Sequence, residues 1–225
     1  MAVARTPSHG SARVRSGRGR PPMTERHRET VRMEIARAAV GLFTAHGVSG
    51  TTGDDIARVI GISTRTLWRY FPTKESCVRP LLTEGLDLVA GHLRACPADT
   101  PLLEYLDREG LFDGDAPLLE DSVMDLIRMT RAEPGLMAVW LEVHHAAESV
   151  FADIIAARSA SSADDLSVRV QAAMLNAALR LAAEERARRS PDSPEAPPGG
   201  VGGLVRTALT TAAHGLPAFG HGPGA

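Results

Sequence analysis

The sequence predicts an all-α fold, and three features of its 225 residues predict it. Apolar residues recur at three- and four-residue steps in almost every segment, the spacing of amphipathic helices. Ala-rich stretches with few β-branched runs favour helix. No alternating apolar–polar pattern competes, and no repeat occurs at a solenoid period. With 44% hydrophobic and 23% charged residues, the composition suits one or two globular domains. Aromatics are only 4%, so the core must rest on Leu, Val, Ile, Met and Ala.

Residues 1–22 hold Arg5, Arg13, Arg15, Arg18 and Arg20 among Gly, Ser and Pro, without a single acid. Such a segment buries too little surface to fold alone. It reads either as a solvated tail or as an arm that follows phosphates or enters a minor groove. A first helix is expected over 25–46, with Thr24 as N-cap and Val31, Ile35, Ala38, Ala39, Leu42 and Phe43 as its apolar stripe. Gly47 closes it. Thr52 with Asp55 three residues on has the form of a capping box and opens a second helix. Ile56, Ala57 and Ile60 face inward along it, Gly61 permits the turn, Ile62 plugs it, and Ser63 starts a third helix. A fourth helix is expected over 73–95, kinked by Pro80 in its interior. Pro97 and Pro101 bracket a linker. Further helices are expected over 102–109, 117–131, 135–157 and 164–188, then a Ser/Pro/Gly loop over 190–203 and a last short helix over 204–214. The resulting organisation is a tail (1–22), a three-helix head (23–73), a helical body (74–217) and a second tail (218–225).

The net charge of −2 conceals a division. Residues 1–80 carry 14 Lys and Arg against 6 Asp and Glu, a net of +8, while the remainder carries 11 against 21, a net of −10. The front wants a polyanion and the rear repels one. No apolar run approaches the ~18 residues of a membrane span, and the N-terminus lacks the apolar stretch of a secretory signal. Cys77 and Cys96 fall on one expected helix and are poorly placed to pair, which fits a reducing cytoplasmic setting.

The segment from Thr51 to Glu75 carries most of the functional information. Two short helices joined by a tight turn form a helix-turn-helix, the arrangement that sets one helix into the major groove of DNA. On the second of them, Leu67 and Phe71 share the buried face. Arg65 and Arg69 point nearly opposite, with Trp68 and Tyr70 on the flanks and Thr64 and Thr66 near the start. Arg forms paired hydrogen bonds to guanine O6 and N7. Trp and Tyr donate to phosphates, or alternatively pack against the first or fourth helix. Lys74 adds a charge beside the DNA backbone.

Residues 28–82 resemble the N-terminal domain of the TetR family of bacterial one-component transcription regulators. The resemblance is carried by Ile35 to Phe43, His46-Gly47, Thr51-Thr52, Asp55-Ile56-Ala57, Gly61-Ile62-Ser63, Thr66 to Phe71 and Lys74-Glu75. The run from Trp68 to Glu75 further resembles actinobacterial members of the mycofactocin-regulator group. The resemblance implies phosphate contacts from Thr52, Trp68, Tyr70 and Lys74, and base reading by Thr64, Arg65 and Arg69. Trp68 stands where the family usually has Tyr, Tyr70 where His is frequent, and Ile60 where a small residue is common. The resemblance also implies a body that dimerises through its last two long helices and holds a small ligand.

For the dimer, Val168, Ala172, Leu175, Leu179 and Ala182 form a candidate stripe over 164–188, with an internal core stripe as the alternative. Paired heads would read a pseudo-palindromic operator in double-stranded DNA. For a ligand pocket, Met124, Ile127, Met129, Met137, Trp140, Leu141, His144 and Phe151 are candidates, although Met is also ordinary core filler. No nucleophile motif, phosphate loop or acid pair at informative spacing is present, and no cofactor is expected. The reading is therefore a homodimeric repressor released by a small molecule. The alternatives are a DNA-binding protein without an effector and a helical metalloenzyme built on His144, His145 and Glu148.

Overall fold

The computed structural model describes residues 25–112, 121–189 and 200–215. The Arg-rich 1–22 segment, the expected cap Thr24, the start of the 117–131 helix, residues 190–199 of the expected loop and the 218–225 tail lie outside the described residues. The described residues form α1 (Glu25–His46), α2 (Gly53–Ile60), α3 (Thr64–Tyr70), a short 3-10 turn (Glu75–Val78), α4 (Arg79–Ala95), α5 (Leu102–Arg108), α6 (Asp121–Thr130), α7 (Pro134–Ser159), α8 (Leu166–Arg188) and α9 (Gly200–Ala213), with no strand among them.

The fold has two adjoining cores. The first gathers Ile35, Ala39 and Phe43 of α1, Ile56 of α2, Leu67 of α3, Val78, Leu81 and Leu82, and continues into α6 and the first half of α7. Burying each large side chain contributes about 1.5–3 kcal/mol. The stripe of α1 is wider than its spacing suggested: Ala36 and Val40 are also buried, whereas Val31, Ala38 and Leu42 are half-buried. The second core joins the rest of α4 and α7 to α5, α8 and α9. Leu86 of α4 packs against both. Arg158 of α7 ties the α4–α5 connection down, donating to the carbonyls of Cys96 (2.8 Å), Pro97 (3.0 Å) and Thr100 (2.9 Å). A cation beside the C-terminus of α4 also complements the helix dipole.

Three expectations are corrected. Pro80 does not kink a helix interior: α4 begins at Arg79, so Pro80 sits in its first turn, where a missing N–H costs nothing. The preceding residues wind as the 3-10 turn instead. The expected 190–203 loop gives way to helix at Gly200. Gly202 permits this, because a Cβ there would lie 2.1 Å from the Phe112 carbonyl, so only Gly lets α9 seat on that backbone. Finally, Val168, Ala172, Leu179 and Ala182 are buried within the chain, and Leu175 packs against the same core. That stripe is internal. The opposite face of α8 carries Leu166, Val170, Ala173, Ala177 and Leu181, with Leu166 73% and Leu181 54% exposed. Cys77 and Cys96, free and buried, lie at the two ends of the α4 region. No helix among the described residues is long and apolar enough to cross a membrane.

Candidate nucleic-acid interface and body cavity

The interface is built from two capped helices. Thr52 caps α2 by accepting from the Asp55 amide (3.2 Å), while Asp55 accepts from the Thr52 amide (2.9 Å) and hydroxyl (2.6 Å). These bonds, chiefly from Thr52 and then from Arg58 at 2.8 Å, hold the Asp55 carboxyl down at about 2. Gly61 ends α2 in the left-handed region at φ 75° and its N–H returns to Ala57 and Arg58. Ser63 caps α3 by accepting from the Thr66 amide (3.1 Å), and its hydroxyl also meets that of Thr66 at 2.8 Å. The Thr64 hydroxyl donates to Asp54, fixing the start of α3 to α2. Leu67 and Phe71 anchor the helix in the core, as their spacing predicted.

The outer ridge of α3 then presents Arg65 and Arg69, both exposed. The Arg69 guanidinium lies 5.9 Å from the Tyr70 ring centre. Trp68 is 42% exposed, so its indole is a surface platform more than a core residue. Its six-membered ring lies across the first residue of α2: a Cβ on Gly53 would sit 2.1 Å from Trp68 Cζ2. Gly53 was not singled out from the sequence, and its place directly after a capping Thr was the available signal. Lys74 has a different situation from a simple surface cation. Its ammonium donates to the carbonyls of Val48 (2.6 Å) and Thr51 (2.9 Å), closing the α1–α2 turn from the far end of α3. Thr51, buried, donates to Gly47 at 2.9 Å within the same turn. Residues 25–80 alone hold 9 basic and 6 acidic residues, so the 1–22 segment supplies most of the +8.

In the body, α4 to α9 line an apolar cavity of about 70 Å³. Leu86 and Val89 of α4, Ile127 of α6, Trp140 and His144 of α7, Leu179 and Arg186 of α8 and Leu209 of α9 are among its walls. Trp140, Ile127 and His144 were expected there. Met124, Met129, Met137, Leu141 and Phe151 are not in the lining. Met124 is filled core, Met129 and Met137 pack against the head-side core, Leu141 is exposed, and Phe151 lies in the second core. Helical periodicity marks a buried face and cannot tell packed from cavity-lining residues.

His144 is 3% exposed and stands edge-to-face against Trp140 at 4.1 Å. Its Nδ1 lies 2.7 Å from Asn176 Oδ1, and the Asn176 amide donates to Glu148 at 3.2 Å. Burial lowers the His144 pKa below the usual range; the Asn176 bond opposes this and Arg180 adds to it. His144, His145 and Glu148 do not converge as the metalloenzyme reading requires. His144 is buried, whereas the exposed His145 lies 3.5 Å from Glu148. Among the described residues no three His, Cys, Asp or Glu are grouped to hold a metal ion. Asn176 was missed in the sequence, where a lone amide in an Ala/Leu stripe was its signal.

Comparison with known proteins agrees with this geometry. Residues 35–81 match the model of bacterial regulatory proteins, tetR family. The chain is 28% identical over 162 residues to the HTH-type transcriptional regulator TcmR of Streptomyces glaucescens, covering 68% of this chain and 70% of that protein. It is 30% identical over 144 residues to MftR of Mycobacterium tuberculosis, a protein named as a mycofactocin biosynthesis transcriptional regulator, covering 62% and 71%. Among solved structures, NalD of Pseudomonas aeruginosa, the secondary repressor of the MexAB-OprM multidrug efflux pump, superposes with a TM-score of 0.53 at 18% identity, covering 84% and 98%. That likeness is one of fold.

Proposed function

This chain belongs to the TetR family of bacterial DNA-binding transcriptional regulators, and from that premise we propose that it is a cytoplasmic homodimeric repressor released from its operator by a small molecule bound in the body. The observation that carries the DNA half of this reading is the ridge of α3. Arg65 and Arg69 project from a helix fixed by the Ser63 cap, the Thr64–Asp54 bond and the Leu67 anchor. A helix held this firmly loses little entropy when its guanidiniums meet base edges. In the proposal Arg65, Arg69 and Thr64 read bases, while Thr52, Thr66, Trp68, Tyr70 and Lys74 face the phosphate backbone.

Two such heads on a two-fold dimer read half-sites one helical turn apart, roughly 34–36 Å. The dimer face is the outer α8 stripe of exposed Leu166, Val170 and Leu181 with half-buried Ala173 and Ala177, whose small central residues let two helices approach closely. The head is 23–73 and the body 74–217, with α4 as the member common to both functions. Leu82, Gly85, Leu86 and Val89 of α4 line the cavity, and the 3-10 turn before α4 adjoins the head. A ligand that displaces α4 changes the separation of the heads, to the extent that it binds the two arrangements with different affinity.

The test is a footprint across the DNA flanking its gene, with wild type and with Arg65→Ala plus Arg69→Ala. The wild type is expected to protect a pseudo-palindrome. Each Arg lost from a base contact costs about 1–3 kcal/mol per half-site, so the double variant loses specific protection. Intact protection by the variant, with its salt dependence unchanged, overturns the assignment of the ridge.

A further inference from the structure

The body cavity is almost wholly apolar, which makes its polar exception informative. The indole N–H of Trp140 is spent on Glu184 at 2.9 Å, and Glu184 also accepts from Arg180 at 2.9 Å. His144 Nε2 is different: it is buried and has no hydrogen-bond partner among the described residues. Leaving such an atom unpaired costs free energy. His144 is also a lining residue of the cavity, so a buried orphan on its ring is a point that a ligand entering there can satisfy.

The neighbours of the ring decide what kind of orphan it is. Glu148, as a carboxylate, only accepts, so the Asn176 amide nitrogen must face it and the Asn176 carbonyl must face His144. That carbonyl accepts from Nδ1–H. The proton of the neutral ring is therefore on Nδ1, and Nε2 is left as a lone-pair acceptor. The opposite amide orientation would set a carbonyl against a carboxylate. Glu148, Asn176 and His144 thus form a relay that fixes the ring tautomer from the α7–α8 contact. Burial, with Arg180, outweighs the opposing Asn176 bond and the Glu184 and Glu148 carboxylates, so the neutral ring is favoured. Among the described lining residues the charged one is Arg186, a cation, and no carboxylate stands in the lining to receive a cationic ligand.

We propose, resting on the reading of this body as an effector site, that the effector is a neutral apolar molecule carrying a hydroxyl-type hydrogen-bond donor, which it gives to His144 Nε2. The relay through Asn176 and Glu148 is the specificity element. An anion meets a lone pair where it needs a donor, and a ligand without a donor leaves Nε2 unpaired. A site organised around one buried hydrogen bond rejects isosteres that lack it far more strongly than a plain apolar pocket rejects an extra methylene. At about 70 Å³ the cavity is smaller than the ~150 Å³ that accommodates benzene, so seating a ligand has to move a wall.

The experiment uses the full chain and needs no natural effector. Long-range proton–nitrogen spectra of the histidine-labelled wild type read the tautomer directly. His144 is expected neutral at pH 7 with Nδ1 protonated; a proton on Nε2 overturns the proposal without any variant being made. Binding of phenol and of toluene, a pair of nearly equal shape, is then measured by calorimetry in wild type and in His144→Phe. The phenol-to-toluene affinity ratio is expected to fall at least about tenfold in the variant, the factor for one lost buried hydrogen bond. An unchanged ratio, or no binding of either probe to the wild type, overturns the proposal. Operator protection that depends on Arg65 and Arg69 keeps the regulator reading in either case.

Discussion

Lys74 tests whether the head is preorganised by its own charges or merely decorated with them. Its ammonium donates to the Val48 and Thr51 carbonyls, at 2.6 and 2.9 Å, bridging 26 and 23 residues of chain. A hydrogen bond from a charged donor contributes about 1.5–3 kcal/mol when sheltered. Lys74 is only half-buried, so solvent screening leaves about 2–3 kcal/mol for the pair. Lys74→Met keeps the apolar stem and deletes both bonds. It is expected to lower unfolding stability by that amount in urea titrations followed by circular dichroism. An ammonium has three donors, so one N–H remains for a phosphate after two carbonyls are served. Losing one phosphate contact per head reduces the slope of log affinity against log salt by about 1.8 for a dimer. Fluorescence anisotropy with the footprinted operator measures that slope. A stability loss below about 0.5 kcal/mol together with the full drop in slope would refute the clamp: Lys74 would then be a loose phosphate cation, as the sequence alone proposed.

Gly53→Ala places a methyl 2.1 Å from Trp68 Cζ2 and must push the indole off α2. Operator affinity is expected to fall at least about tenfold, the equivalent of one displaced contact, with a red-shifted Trp emission; unchanged emission would contradict the packing. Asp55 is depressed from 3.8 to about 2 in the folded chain, so its contribution is present above pH 4 and lost as pH falls from about 4 to 2. Thr52→Ala removes the main cause, and urea midpoints in that window should decline less steeply than in wild type. Val170→Glu plus Leu181→Glu puts charges on the exposed α8 stripe, and sedimentation should report a monomer with unchanged far-ultraviolet circular dichroism. A dimer that survives those charges would move the interface elsewhere.

Local chemistry was legible in the sequence wherever one residue type has one dominant physical use. The Thr52–Asp55 box, the Gly61 turn, the Ser63 cap and the Leu67 and Phe71 anchors all depend on neighbours within four residues, and all are present. The α1 bounds followed from the same logic. What failed required knowledge of the other side of a contact. Pro80 reads as a helix breaker until the preceding residues are seen to wind as a 3-10 turn. Gly200 to Gly203 read as loop because glycine disfavours helix by about 1 kcal/mol each, until Gly202 is found against the Phe112 backbone. The α8 stripe was sound as a stripe, but periodicity does not say whether the facing helix belongs to the same chain. The methionines suffered the same ambiguity. Their adaptability suits a cavity wall and a filled core equally, and here they went to the core.

The arrangement of α4 explains how a small cavity can govern a distant helix pair. One face of α4 lines the cavity through Leu82, Gly85, Leu86 and Val89. Its first residue, Arg79, pairs with Glu142 of α7, and the 3-10 turn immediately before it follows Lys74, which grips the α1–α2 turn. Every connection in that series is short and packed, so a displacement of α4 has little slack in which to dissipate. The opposite wall is α9, packed on α8 and α5, and a ligand that displaces it instead of α4 acts less directly on the heads. The sign and strength of the response are therefore set by how much of the ligand's bulk each wall absorbs. Carrying a 1:99 equilibrium to 99:1 takes a ~10⁴-fold difference in affinity between the two arrangements. A hydrogen bond to His144 supplies about tenfold of binding, far short of that difference, so it selects the ligand more than it switches the protein. Switching has to come from the apolar bulk pressing on α4. Recognition and response are thereby separated within one cavity, the first on α7 and α8, the second on α4.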